Sequence, residues 1–262
     1  MHNTAAAAQT PATATATLDL VGVLVVLLRP STPADRRRFE DLQTLRRKHD
    51  QAFERWLPHI TLVPPFTLSS SSLEASSALA SGTGLEQLVQ LHTEKLSQIA
   101  KAAAEVCHTH ASHRLLLDQV STFPLRNYTN VHLRPAPPTN SHDKRKTSSF
   151  SSATSDDQDH SSHRIVKLQS DLSQALTPVL HPNKASSARR RETFRPHVSV
   201  GQSTSGKATW QLCRSAERVL GYEGSPGLLC DVDRVQLMIK PKGSAGAYHV
   251  HQELPLSRSS SP

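Results

Sequence analysis

The chain has 262 residues, with 30 Lys and Arg against 22 Asp and Glu, a net charge of +8, 36% hydrophobic and 4% aromatic residues. The hydrophobic share is low for a chain this long, so part of it is expected outside the packed core. About 180–200 ordered residues still give one domain an ample interior. The positive balance favours a polyanionic partner, and so few aromatics argue against an RNA surface built on several stacking rings.

Along the chain the pattern is strand, helix, strand, twice over. Residues 1–17 read as an Ala/Thr-rich disordered tail without Lys or Arg, unlike a mitochondrial presequence. Leu20–Leu28 is a near-continuous apolar run, too short to cross a bilayer as a helix, and is expected as a strand buried on both faces. Ser31 or Thr32 can cap a helix from Pro33 to about His49. A strand over Pro58–Phe66 follows, then a Ser-rich flexible insertion at about 69–84. Leu88, Leu91, Leu96 and Ile99 predict one helix from Leu85 to about His108. Leu115–Phe123 and Tyr128–Arg134 read as a strand pair, and 135–162 as a second flexible insertion. A helix over Ile165–Leu180, a strand at Arg195–Gln202 and a helix over Gly206–Leu220 come next. Val232–Lys240 and Ala247–Leu256 form a closing strand pair, ahead of a disordered tail at 257–262.

Three scattered cysteines (Cys107, Cys213, Cys230) give neither a disulfide framework nor ligand spacing, and suit a reducing compartment. Basic clusters stand at Arg36–Arg38, Lys144–Lys146 and Arg189–Arg191; the second is a short nuclear-import-like run, the third precedes the second motif strand. His108, His110 and His113, and the pair His249/His251, lack Cys or carboxylate ligands at recognisable spacing, so no metal site is expected.

Chemistry concentrates in PHITLVPPF (Pro58–Phe66) and RPHVSVGQ (Arg195–Gln202). On a strand residues i and i+2 share a face, so His59 projects with Thr61 and His197 with Ser199. His-x-Ser/Thr occurs five times in the chain, and 15 His with 54 Ser and Thr give about three by chance. Only these two copies follow a proline within a strand-like run. Two imidazoles and two hydroxyls are what phosphodiester chemistry needs: a base, an acid and two donors to phosphate oxygens.

With these flanks the sequence resembles the two-histidine (2H) phosphoesterase superfamily, the group of 2′-5′ RNA ligase-like proteins and RNA cyclic phosphodiesterases. It departs from that pattern in having Ser199 in the second motif and long Ser-rich insertions. The resemblance implies an α+β, bilobal, pseudo-symmetric domain over 18–256. Two antiparallel sheets flanked by helices would surround a central cleft with one motif per lobe. It also implies catalysis by His59 and His197, phosphate binding by Thr61 and Ser199, and no cofactor. Phe66, Arg195 and Tyr248 are candidates to line the cleft. The expected activity is metal-independent hydrolysis or transfer at a 2′,3′-cyclic phosphate or 2′-5′ linkage. The partner would be RNA or a nucleotide bearing such a phosphate, handled by a monomer, cytoplasmic or nuclear, without membrane association. Two readings stay beside it: a catalytically silent nucleotide- or RNA-binding relative, and a 3′-5′ RNA exonuclease using the same four side chains.

Overall fold

The computed structural model describes residues 19–69, 84–136, 155–182, 194–221 and 227–258. The expected N-terminal tail, nearly all of the first insertion, and Lys144–Lys146 and Arg189–Arg191 lie outside those residues.

Strand β1 (Leu20–Leu27) leads into helix α1 (Pro33–His49) and strand β2 (His59–Leu68). The start of α1 follows from local chemistry. Thr32 is extended, its hydroxyl accepts from the Asp35 amide, and Pro33 opens the first turn, while Arg46, Arg47, Lys48 and His49 occupy the last. The antiparallel register pairs Leu27 with His59 and Val25 with Thr61. Alternation sends Leu20, Leu24 and Val26 into the main core and Val23 and Val25 into a smaller cluster with Met238, so β1 is buried on both faces.

The single helix expected from Leu85 to His108 is two: α2 (Leu85–Leu91) and α3 (Thr93–Thr109). The break falls at His92, whose φ of −105° and ψ of 13° leave the helical range. The strand expected over Leu115–Phe123 also divides at Asp118, into β3 (His113–Leu117) and β4 (Gln119–Pro124), followed by β5 (Thr129–Arg134). Helix α4 (Ser155–Leu180) begins inside the stretch expected as a flexible insertion, whose residues 137–154 lie outside those described. Strand β6 (Val198–Ser203), helix α5 (Gly206–Leu220) and strands β7 (Leu228–Val232), β8 (Arg234–Pro241) and β9 (His249–Pro255) complete the order.

The architecture is α+β with every strand pairing antiparallel, and it holds three sheets rather than two: β2-β1-β8-β9, β4-β5-β6 and the pair β3-β7. The extra sheet arises because the chain changes partners at two aspartates. At Asp118 it leaves β3 for β4, and at Asp233 it leaves β7 for β8, so β3-β7 is covalently continuous with both larger sheets. Each larger sheet contains a strand–helix–strand unit with its strands paired directly, β1-α1-β2 in one and β5-α4-β6 in the other. Each motif histidine sits at the entry of the unit's second strand. None of the helices among the described residues is long and apolar enough to cross a membrane.

Candidate active site

His59 enters β2 directly after Pro58. A residue before proline is held extended; here that residue is Leu57, whose carbonyl accepts a 2.7 Å hydrogen bond from His59 Nδ1. The imidazole stacks on Trp56, with ring centroids 4.3 Å apart at 27°, and Trp56 in turn stacks with Tyr248 at 3.9 Å and 23°. Ile60 and Leu62, each 1% exposed, turn away into the core and leave Thr61 on the histidine's face.

His197 repeats this construction. Pro196 precedes it, and its Nδ1 donates to the Arg195 carbonyl at 2.8 Å. Val198 and Val200 are fully buried, so Ser199 shares the histidine's side of β6. Asn130 of β5 donates its side-chain amide to Ser199 Oγ at 3.3 Å. Opposite Ser199 on β5 stands His132. The His132 ring meets His197 edgewise at 5.2 Å, and Phe123 of β4 closes the group at 4.9 Å from His132 and 5.5 Å from His197.

A carbonyl can only accept, so each motif Nδ1 carries its proton toward its own strand and Nε2 is left as the working nitrogen of each ring. Burial pushes the His59 pKa below its ordinary 6.5; the charges of Arg46 and His197 act in the same direction, against the Leu57 carbonyl and Asp50. His59 is thus neutral at neutral pH, and the two motif rings are close enough to feel each other's charge. Burial, with His197 and Arg134, lowers His132 to about 4 and keeps it neutral as well.

A cleft of about 970 Å³ lies between the two motif strands. Thr61 and Pro64 contribute from β2, Ser121 and Phe123 from β4, and His132 and Arg134 from β5, with Arg195 and His197 at the entry to β6. Thr61, Arg195 and His197 therefore share one cavity. His59 and Ser199 are not among its lining residues: the charge of His197 is the weakest of the influences on the His59 ring, and Ser199 stands beside the lining residue His132 and accepts from Asn130. Tyr248 reaches the site only by backing Trp56. Phe66 does not line the cleft: alternation along β2 sends it to the core face with Ile60, Leu62 and Leu68, 8% exposed and across Gly22, where an added Cβ would lie 2.5 Å from its ring.

Sequence reasoning missed Trp56, Phe123, Asn130, His132 and Arg134. The last three alternate along β5 and so face one side; that period-2 signal, polar in an otherwise apolar strand, was available. Of the histidines weighed as ligands, His110 Nε2 bonds Asp171 at 2.9 Å and His113 Nδ1 bonds the Ala111 carbonyl at 3.2 Å. No group of three or more His, Cys, Asp or Glu side chains placed to hold a metal ion occurs among the described residues.

The sequence matches the family model of the 2′-5′ RNA ligase superfamily over residues 30–244. No curated protein matches the chain. Among solved structures, Escherichia coli LigT complexed with 3′-AMP is 12% identical, with 92% of this chain and 99% of that chain covered and a TM-score of 0.44. Kluyveromyces marxianus Usb1 is 12% identical over 90% of this chain and 98% of that chain, with a TM-score of 0.40.

Proposed function

The chain belongs to the 2′-5′ RNA ligase superfamily, and we propose that it is a metal-independent RNA phosphoesterase acting on 2′,3′-cyclic phosphates or 2′-5′ phosphodiester linkages. The observation that carries this reading is the duplicated histidine geometry. Both rings donate Nδ1 to the carbonyl two residues back, and each shares its strand face with a hydroxyl. The pair then supplies one proton acceptor and one proton donor.

In the hydrolytic direction neutral His59 takes a proton from water at Nε2 while the water oxygen bonds to phosphorus. His197, protonated, gives its Nε2 proton to the departing ribose oxygen as the phosphorus–oxygen bond breaks. The lowered pKa of His59 supports its role as base, since a ring neutral at working pH is ready to accept. Thr61 and Ser199 donate to the non-bridging oxygens and hold phosphorus in line between the rings. In the ligation direction the two histidines exchange roles. RNA ends of the cytoplasm or nucleus are the substrate pool that fits.

The test is incubation with nucleoside 2′,3′-cyclic phosphates in EDTA. A monophosphate product is expected, with turnover falling roughly 10²–10⁴-fold on replacing either His59 or His197 by Ala. Binding without turnover by the wild-type protein would instead favour a silent RNA-binding relative.

A further inference from the structure

One phosphate between two imidazoles needs far less room than this cleft offers. At about 970 Å³ it stands at the top of the roughly 300–1,000 Å³ range of small-molecule sites. Among the described residues no carboxylate lines it, and two arginines do, Arg134 and Arg195. Arg134 follows His132 on the same face of β5. Its charge is felt at His132 and Asp118, whereas the guanidinium felt at His59 is that of Arg46. The Asp118 carboxylate is already engaged, accepting from the Ala136 amide at 2.7 Å. Arg134 Nε is buried with no hydrogen-bond partner among the described residues. A buried donor on a cation, in a cavity whose described lining carries no acid and includes Ser121 and Thr122, asks for an anionic oxygen.

We propose that this arm of the cleft binds the phosphodiester of the nucleotide adjoining the reacting one, with Arg134 as its principal cation and Arg195 as its second. The preferred substrate is then an oligonucleotide rather than a mononucleotide. The inference rests on the phosphoesterase reading above and narrows its substrate class. A guanidinium presents its N–H groups as a planar fork that matches two phosphate oxygens, and a lysine supplies the charge without the fork.

The experiment compares kcat/KM for a nucleoside 2′,3′-cyclic phosphate and for a trinucleotide ending in the same cyclic phosphate, in wild type, Arg134→Met and Arg134→Lys, across a salt series. The wild type should prefer the trinucleotide at least tenfold. Arg134→Met should remove most of that preference and flatten the slope of log kcat/KM against log salt for the trinucleotide by about 0.7, one phosphate contact on a single strand. Arg134→Lys should keep the slope and recover part of the preference. Equal turnover of both substrates by wild type, or an equal loss on both in Arg134→Met, would overturn the second phosphate site while leaving the phosphoesterase in place. No turnover of either substrate would remove the catalytic reading beneath it.

Discussion

Asn130 decides which way the Ser199 hydroxyl works. Its amide donates to Ser199 Oγ, so the hydroxyl hydrogen is directed elsewhere, toward a phosphate oxygen in the proposed complex. Asn130→Ala removes one neutral hydrogen bond, worth about 1 kcal/mol. A roughly fivefold loss of kcat is expected, with a small change in KM, read by steady-state kinetics beside a thermal melt. The histidines add two predictions of opposite character. As a base, His59 must be neutral, and burial lowers its pKa, so the acid limb of kcat/KM should fall below pH 6.5. Trp56→Ala uncovers that ring and should move the limb back toward pH 6.5; an unmoved limb would sever the stack from the proton transfer. His132 acts on stability instead. Its folded pKa of about 4 is below the ordinary 6.5, so between those values the unfolded chain binds the extra proton. Stability is full above about pH 6.5 and lost as pH falls toward 4. His132→Gln should flatten the dependence of melting temperature on pH across that window.

One helix end holds the two motif strands together. Arg46 at the end of α1 is bound by Asp50 through Nη2 at 2.7 Å and Nε at 3.0 Å, and donates to the Trp56 carbonyl at 2.9 Å. Asp50 accepts from Gln202 of β6 at 3.3 Å, and Gln202 accepts from the Gln51 amide at 2.9 Å. The chain entering β2 and the end of β6 thus share one buried ion pair, with side chains 2% and 1% exposed. Removing one partner of such a pair strands the other charge and costs about 3–5 kcal/mol. Asp50→Ala should therefore lower the urea midpoint strongly and reduce activity with it. Packing at the same junction is close: a Cβ on Gly201 would lie 2.6 Å from His49 Cβ and 2.8 Å from its carbonyl oxygen. Backbone cannot yield as a flexible side chain does, so Gly201→Ala should cost about 1–3 kcal/mol.

Elements written in local chemistry were legible from sequence, and those written by distant partners were not. Thr32 and Pro33 announce α1, and alternation announces the motif strands. Nothing near Asp118 says that β3 pairs with β7, more than 100 residues away, while β4 pairs with β5. Apolar residues stand on both sides of each aspartate, so Leu115–Phe123 reads as one strand and β7 merges into β8, although the buried set changes phase there, from Leu115 and Leu117 to Val120 and from Cys230 and Val232 to Val235 and Leu237. In the candidate site, the residues carrying chemistry stood out by their duplicated flanks. Those that hold them, such as Trp56 and Asn130, take their meaning only from what packs on them.

At the scale of the whole molecule, the buried cluster draws on both larger sheets and the pair between them. Leu24 and Leu237, Val131 and Val198, and Leu115 and Val232 all belong to it. A continuous interior gives neither motif strand a core of its own, so the cleft walls should unfold together in one transition. Two buried cysteines report on this shared interior from different elements. Cys107 on α3 and Cys230 on β7 are 0% and 3% exposed. Burial pushes the Cys107 thiol up to about 12 and raises Cys230 further from its reactive form, with Asp35 and Asp231 adding to the effect. Cys213 on α5 is only partly buried, and its pKa is raised by burial and by Glu217. Under native conditions a thiol reagent should modify Cys213 ahead of the other two. In a urea series, Cys107 and Cys230 should become reactive at one midpoint, coincident with loss of far-ultraviolet circular dichroism, when each site is followed by mass spectrometry. Two separated midpoints would mean that helix α3 and the β3-β7 pair open in separate steps, and that the interior is not one cooperative unit.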